Sequence, residues 1–498
     1  MATYTTKFSG FNVTGSVGAN YRSDYSKSIG VSGTEEKVPN FYRISNYAIV
    51  SDSDSMRKKI VYSYYGLGQI SYGGYLYLDA TIRNDNSSAL PAENDSFWYH
   101  SENLSFLFSK FFGLKSNTFS KGKVRASYAK VGNDTSPYRT QSSYNINQAR
   151  TLDYTVASIP GTLPNPNLRP EVSNSWEIGT ELGFFKNRIH LDFTYYETLT
   201  EDQIMSVPIS GTSAYSNYIT NAGSIKNEGF EAQLNLIPVE TENFSWDMGL
   251  SITKSKSVVE SIDESLESIT LNSLMQVSIE ARPGEEFGTI YGLDYLRDNF
   301  GSKLITDAGL AQPGERIKLG SINPDFYGGV SNNFKYRNFS LRTLISYQEG
   351  GEFFSWGRGY REMFGTDASS LIGRVDGIIE EGINENTGFE NTTPVSALQK
   401  NYTNNYVSNI RTDLIFDASN IKMKEIVFTY DVPKKALGNS GVQGVSLSAI
   451  GRDLFFIHNA TGDIDPDASN GSSPTATALE HASLPSTRTY GVNIKINF

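Results

Sequence analysis

Stretches of about ten residues, apolar at every second position, recur along this chain, and that pattern limits its fold more than any other feature. The last is YGVNIKINF, with Tyr490, Val492, Ile494, Ile496 and Phe498 on one side and Gly491, Asn493, Lys495 and Asn497 on the other. In RIHLDFTY, Ile189, Leu191, Phe193 and Tyr195 oppose Arg188, His190, Asp192 and Thr194; YLYLDATIR and FSWDMGLSIT behave alike. Period-two alternation describes a strand with one oily and one wet face. About fourteen strands are predicted, near 11–25, 58–71, 74–84, 97–110, 121–131, 174–186, 188–199, 224–237, 243–255, 325–336, 338–349, 420–431, 443–455 and 487–498. In IKMKEIVFTYDV the alternation holds only from Ile426, which predicts a bulge near Lys424.

Alternation alone also fits a soluble sheet buried on one face. The connections separate the two cases. Short ones (Tyr72-Gly73, Lys186-Asn187, 238–242, Arg337) alternate with long ones (26–57, 132–173, 200–223, 256–324, 350–419, 456–486). The stretch 85–96 is a modest long connection, and 111–120 and 432–442 are extended short ones. Outer-membrane barrels have short periplasmic turns and long extracellular loops. A soluble sandwich has no reason to keep its long loops at one end. The expected fold is therefore all-β, an antiparallel transmembrane β-barrel in the outer membrane.

Composition agrees. No run of eighteen apolar residues exists, which excludes a transmembrane helix but not a barrel. A mean hydropathy of −0.37 is what a polar lumen face produces when averaged with an apolar outer one. Thirty Tyr and 28 Phe suit aromatic girdles, and the absence of Cys excludes a disulfide framework or a thiolate metal site. A net charge of −11 argues against nucleic acid as a partner. The N-terminal MATYTTKFSGF has no basic segment followed by an apolar one.

Several stretches resemble the SusC/RagA-type TonB-dependent transporters of outer membranes. They include YLYLDATIRNDNSSALP (75–91), KVRASYAKVGND (123–134) and NPNLRPEVSNSWEIGTELGFFKNRIHLDFTYYETLTEDQI (165–204). FGTIYGLDYLRD (287–298), INPDFYGGVSNNFKYRNFSL (322–341) and LPSTRTYGVNIKINF (484–498) continue the likeness in order along the chain. The segment FWYHSENLSFLFSK (97–110) departs from the family pattern, as does Asn86 in place of a Trp. The resemblance implies a signal peptide, a plug and a 22-stranded barrel. Nothing here resembles the plug, so residues 1–498 are expected to be the C-terminal barrel part of such a protein. It further implies import of oligosaccharides or peptides, a SusD-like surface lipoprotein partner and energy from the TonB complex through the part not present. Phe498 would then be both the last lipid-facing residue and an assembly signal.

Catalytic patterns are lacking. His100, His190, His458 and His481 have no metal-ligand partner at useful spacing, and neither a cofactor nor an enzymatic activity is expected. Asp463, Asp465 and Asp467 alternate as in a Ca²⁺ loop, but Pro466 interrupts them and no distal Glu completes the pattern, so a turn is the plainer reading. EGGEFFSWGRGYREMFG (349–365) gathers Phe353, Phe354, Trp356, Tyr360 and Phe364 with Arg358 and Arg361. Aromatic faces and guanidinium groups suit ligand contact, or an aromatic girdle, or packing between loops. Asp79, Arg83, Glu177, Glu181 and Glu231 fall on polar faces and are expected to line the lumen, where they could hold a plug. Two other readings stay open: a passive pore made by this chain alone, and a soluble carbohydrate-binding β-protein.

Overall fold

The computed structural model describes residues 1–114, 116–148, 155–438, 441–468, 471 and 473–498. Fifteen strands, taken in chain order, make one antiparallel sheet. They are β1 (Ala2–Phe8), β2 (Phe11–Glu36), β3 (Tyr47–Tyr72), β4 (Leu76–Ser87), β5 (Ser96–Phe106), β6 (Phe119–Asn133), β7 (Glu171–Phe184), β8 (Ile189–Glu201), β9 (Ser224–Glu240), β10 (Phe244–Ser261), β11 (Phe326–Tyr336), β12 (Phe339–Glu349), β13 (Asn420–Asp431), β14 (Gly444–Asn459) and β15 (Thr489–Asn497). The chain divides into two compact units: Met1–Phe106, Arg125–Glu177 and Thr198–Ser224 in the first, and Leu107–Val124, Ile178–Glu197 and Ile225–Phe498 in the second.

All fourteen expected strands are present. The fifteenth, β1, was not expected, because in ATYTTKF the short set Ala2, Tyr4 and Phe8 is interrupted by Thr6. The stretch 26–57 differs more. It is not a loop: β2 and β3 run on as a ladder to Glu36↔Tyr47, and only 37–46 connects them. SDYSKSIGVSG carries few apolar residues because both faces of this ribbon are exposed, so its backbone pairing leaves no alternation to read. Lys424 is the bulge. On β13, Leu344 of β12 pairs with Glu425 and Ile345 with Met423, passing over Lys424.

In β4 the facing of side chains is the reverse of a soluble sheet. Leu78 (41%) and Ile82 (52%) stand exposed, while Asp79 and Arg83, each the next residue along, are half-buried. Tyr64, Ile70 and Leu104 share the exposed apolar face through the β3–β4–β5 register. In the second unit, Val492, Ile494 and Ile496 of β15 are exposed beside Ala449, Leu447 and Val445 of β14. Among the described residues no second layer covers these rows. Burying them needs a solvent that is itself apolar, which the hydrocarbon of a bilayer supplies.

Aromatic rings mark the end of the wall that carries the short turns. In the first unit Phe8, Phe11, Tyr72, Tyr75 and Phe106 form a chain with ring centroids 4.5–6.3 Å apart. In the second unit Phe339 meets Tyr430 at 5.0 Å and Trp246 meets Phe334 at 5.4 Å. These are the girdle residues of a membrane wall. At the turn after β3, Gly73 and Gly74 both take positive φ (57° and 68°), a conformation that glycine adopts without steric cost.

Buried cores lie in the long connections. Of the largest fully buried side chains among the described residues, only Lys422 and Val259 belong to wall strands. In the second unit the connections build a folded module of their own. A four-stranded sheet (Ile269–Leu274, Val277–Ala281, Thr289–Tyr295, Pro313–Ser321) joins a strand Glu352–Ser355 and the helix α1 (Trp356–Met363) around Val277, Ile279, Ile290, Phe354, Trp356 and Leu414.

Candidate functional site

The segment 349–365 enters this module as a strand flanked by Ile415–Asp417 and Leu479–Glu480, then turns into α1. Ser355 caps the helix, its Oγ accepting from Arg358 N at 3.1 Å. The placement corrects the ligand-contact expectation for three residues. Phe353, Phe354 and Trp356 are 0–3% exposed and face the module's interior, not a ligand. The strand's pairing on both edges turns these rings inward, where their burial holds the connections together.

The remaining residues of the segment do gather at an opening. Arg358 donates to Glu362 (2.9 Å) and Asp463 (3.0 Å), and Arg361 donates to Asp463 (2.7 Å). Asp367 lies 3.2 Å from both guanidinium groups. Burial works against the Asp367 carboxylate, but hydrogen bonds from Ser369 and the two arginines hold it below its ordinary value. Tyr360 packs on Trp356 (5.2 Å) and on His481 (5.9 Å). Arg358, Tyr360, Arg361 and Asp463, with Asp465, Glu480 and Ser483, line a cavity of about 320 Å³. Glu480 is 5% exposed and accepts from Ser355 Oγ (2.5 Å), Gly357 N (3.0 Å) and Ser483 N (2.7 Å). A cavity with fixed guanidinium groups, carboxylates and one aromatic face can orient a polar ligand such as a peptide or a sugar.

The three alternating aspartates diverge. Asp463 meets the two arginines, Asp465 accepts from Ser486 N at 3.1 Å, and Asp467 accepts from Lys422 and Lys424, each at 2.8 Å. Lys422 lies against both Asp465 (3.9 Å) and Asp467 (2.8 Å), while Asp463 faces the arginines, so protein donors engage all three carboxylates. Burial of Asp467 is outweighed by the lysine hydrogen bonds, so its carboxyl lies below the ordinary value. Sequence reasoning missed Lys422, which is 2% exposed, also donates to Ser486 (3.1 Å) and sits 4.8 Å from the Phe456 ring. The broken alternation in IKMKE was the available signal. Lys422→Met is expected to loosen the 460–486 connection by about 2 kcal/mol, less than a fully broken buried pair because Lys424 still faces Asp467. Hydrogen exchange of that connection reads the effect.

Of the charges expected in the lumen, all lie on wall strands. Asp79 accepts from Gln69 (2.6 Å), and Arg83 donates to Asp85 (2.8 Å) and Ser63 (2.9 Å). Glu181 accepts from Lys121 (2.5 Å) and Lys123 (2.8 Å). Glu177 and Glu231 are exposed. Phe498 is exposed and continues the alternation of Ile494 and Ile496.

Residues 2–256 match the family model described as TonB dependent receptor-like, beta-barrel. The chain belongs to that family. It is an outer-membrane β-barrel protein. TonB-dependent receptor P3 of Formosa agariphila is 27% identical over 468 residues, covering 88% of this chain and 45% of the relative. TonB-dependent receptor P26 of the same organism is 26% identical over 505 residues, 90% of this chain and 48% of the relative. TonB-dependent receptor SusC of Bacteroides thetaiotaomicron is 36% identical over 90 residues, 18% of this chain and 9% of the relative. The solved structure of the RagAB peptide transporter superposes with a TM-score of 0.78 at 18% identity, over 100% of this chain and 54% of that one, a likeness of fold. This TonB-dependent receptor barrel thus spans about half the length of the curated relatives it matches.

Proposed function

We propose that this chain is the C-terminal barrel part of an outer-membrane importer that takes up oligosaccharides or peptides. The observation that carries the reading is the inverted facing of β4, where Leu78 and Ile82 stand exposed and Asp79 and Arg83 are shielded. It supports a wall with lipid outside and a wet lumen inside. In this reading a plug, supplied by upstream sequence, occupies the lumen and connects to the TonB complex. Glu177 and Glu231, being exposed, are better placed to contact it than Asp79, Arg83 and Glu181, which already bond to wall neighbours. A SusD-like lipoprotein covers the long connections. Phe300 (94%), Val375 (91%) and Ile372 offer it apolar surface there. Arg358, Tyr360 and Arg361 serve the ligand cavity, and Phe498 serves recognition during assembly.

Deleting the gene in its host is expected to abolish growth on one class of oligosaccharide or peptide, with restoration by the intact gene. Unchanged growth on every such nutrient, together with a steady open current from the purified protein in lipid, would instead establish a passive pore. That second reading has one observation against it. Among the described residues β1 pairs only with β2, and β15 only with β14, so the chain by itself carries two open edges.

A further inference from the structure

The lipid-facing rows of the first unit contain one irregularity. Register places Ala2, Val17, Gly66, Ile82 and His100 side by side, and Tyr4, Gly15, Gly68, Ala80 and Glu102 in the next row. His100 and Glu102 thus stand on the exposed apolar face between Trp98 and Leu104, not in the lumen. His100 Nδ1 and Glu102 Oε1 are 2.9 Å apart. Among the described residues, neither His100 Nε2 nor Glu102 Oε2 has a hydrogen-bond partner. Polar groups at this depth are costly unless something satisfies them. Tyr64 and Trp98 lie one step from the pair toward the long connections, and the Phe106 girdle lies at the other end, so the pair sits in the half of the bilayer nearer the outside.

Beside the pair the wall is hollow. Gly15, Gly66, Gly68 and Ala80 floor a groove of about 800 Å³, with Tyr4 and Ile82 at its sides. Its lining is mainly apolar, and the pair closes one end.

We propose that this groove binds one outer-leaflet lipid through a hydroxylated acyl chain, whose hydroxyl meets the His100–Glu102 pair. Lipid is the medium on this face. A hydroxyl donates and accepts through one atom, which matches a carboxylate oxygen beside an imidazole nitrogen, whereas a plain methylene chain matches neither. The methylenes fill the space that the missing glycine side chains leave. The site is separate from the import path, so its failure and the failure of the importer reading are read by different measurements.

The test is native mass spectrometry of the full-length protein in detergent. Purified lipid A, whose acyl chains carry hydroxyls, is offered against dioleoylphosphatidylethanolamine, whose chains do not. The wild type is expected to retain one lipid A, with a preference of about tenfold, the order of one or two hydrogen bonds in an apolar setting. The double variant H100L/E102L removes the polar pair and makes the face more apolar. Gly15→Leu fills the groove, and a Cβ there meets nothing within 4 Å. Both are expected to lose the preference while keeping the folded, heat-modifiable band of the wild type. Equal retention of the two lipids, retention of neither, an undiminished preference in both variants, or a second protein copy in place of lipid would each overturn the proposal.

Discussion

Trp356→Ala will unfold the loop module of the second unit and leave the wall standing. The indole is 2% exposed, and Phe354 and Tyr360 pack on it with ring centroids at 6.2 and 5.2 Å. The Arg411 guanidinium lies over it at 4.7 Å. Removing a buried Trp costs about 3–5 kcal/mol through lost burial and the cavity left behind. Here the loss compounds. Arg411 is 1% exposed and donates to Met275 O (2.7 Å), Asn405 O (2.6 Å) and Asn409 Oδ1 (2.9 Å), so it ties its own stretch, 405–411, to the turn at Met275. Burial pulls its pKa down to about 10, which still leaves it charged at neutral pH. Without the ring face that charge has less to compensate its desolvation. The wall is held by backbone ladders and by lipid, neither of which touches Trp356. Hydrogen exchange of the purified protein should therefore show residues 269–295 and 397–417 losing protection while β11 to β14 keep theirs. Equal loss in both, or none in the module, would contradict a separately cored module.

The wall was legible because its physics is periodic. A lipid outside and water inside demand opposite chemistry at successive residues, and that demand is written locally in YLYLDATIR and YGVNIKINF. Where the demand lapses, so does the signal. Beyond the membrane β2 and β3 have water on both faces, and SDYSKSIGVSG offers only Tyr25, Ile29 and Val31 as apolar residues to read. In β1 Thr6 interrupts an already short apolar set and hides the period.

The loop module follows the opposite logic. An aromatic-rich stretch looks the same whether its rings meet a ligand or a core, since both need apolar faces. What buries Phe353 and Phe354 is pairing with residues 415–417 and 479–480, more than sixty and one hundred and twenty positions away. No local pattern encodes partners at that separation. The arginines were legible as polar contacts, but their carboxylate partners were not. Lys422 shows the intermediate case. Broken alternation marked the bulge beside it, while the aspartates that hold it lie in another connection.

Ile82→Arg will impair assembly of the wall, whereas Gln69→Arg will not. Both residues lie in paired strands of the first unit, yet Ile82 belongs to the exposed apolar row and Gln69 to the polar face. An arginine on the lipid side costs about 2–4 kcal/mol at the bilayer midplane and less toward either interface. Gly66 beside it offers only backbone already engaged in the ladder, and the one carboxylate in reach, Glu102 in the next row, is already shared with His100. At position 69 the new guanidinium meets Asp79, which already accepts from the native glutamine at 2.6 Å, so a charge-assisted pair replaces a neutral donor. The experiment compares the fraction of heat-modifiable, protease-resistant protein recovered from outer membranes, and the urea midpoint in lipid vesicles. Ile82→Arg should lower both. Gln69→Arg should leave both within about 0.5 kcal/mol of wild type, as surface changes usually do. The contrast turns on side, because the incoming arginine and the unit are the same in both variants. If the two variants behaved alike, lipid outside and water inside could not be the reason that Ile82 stands exposed and Arg83 beside it is shielded.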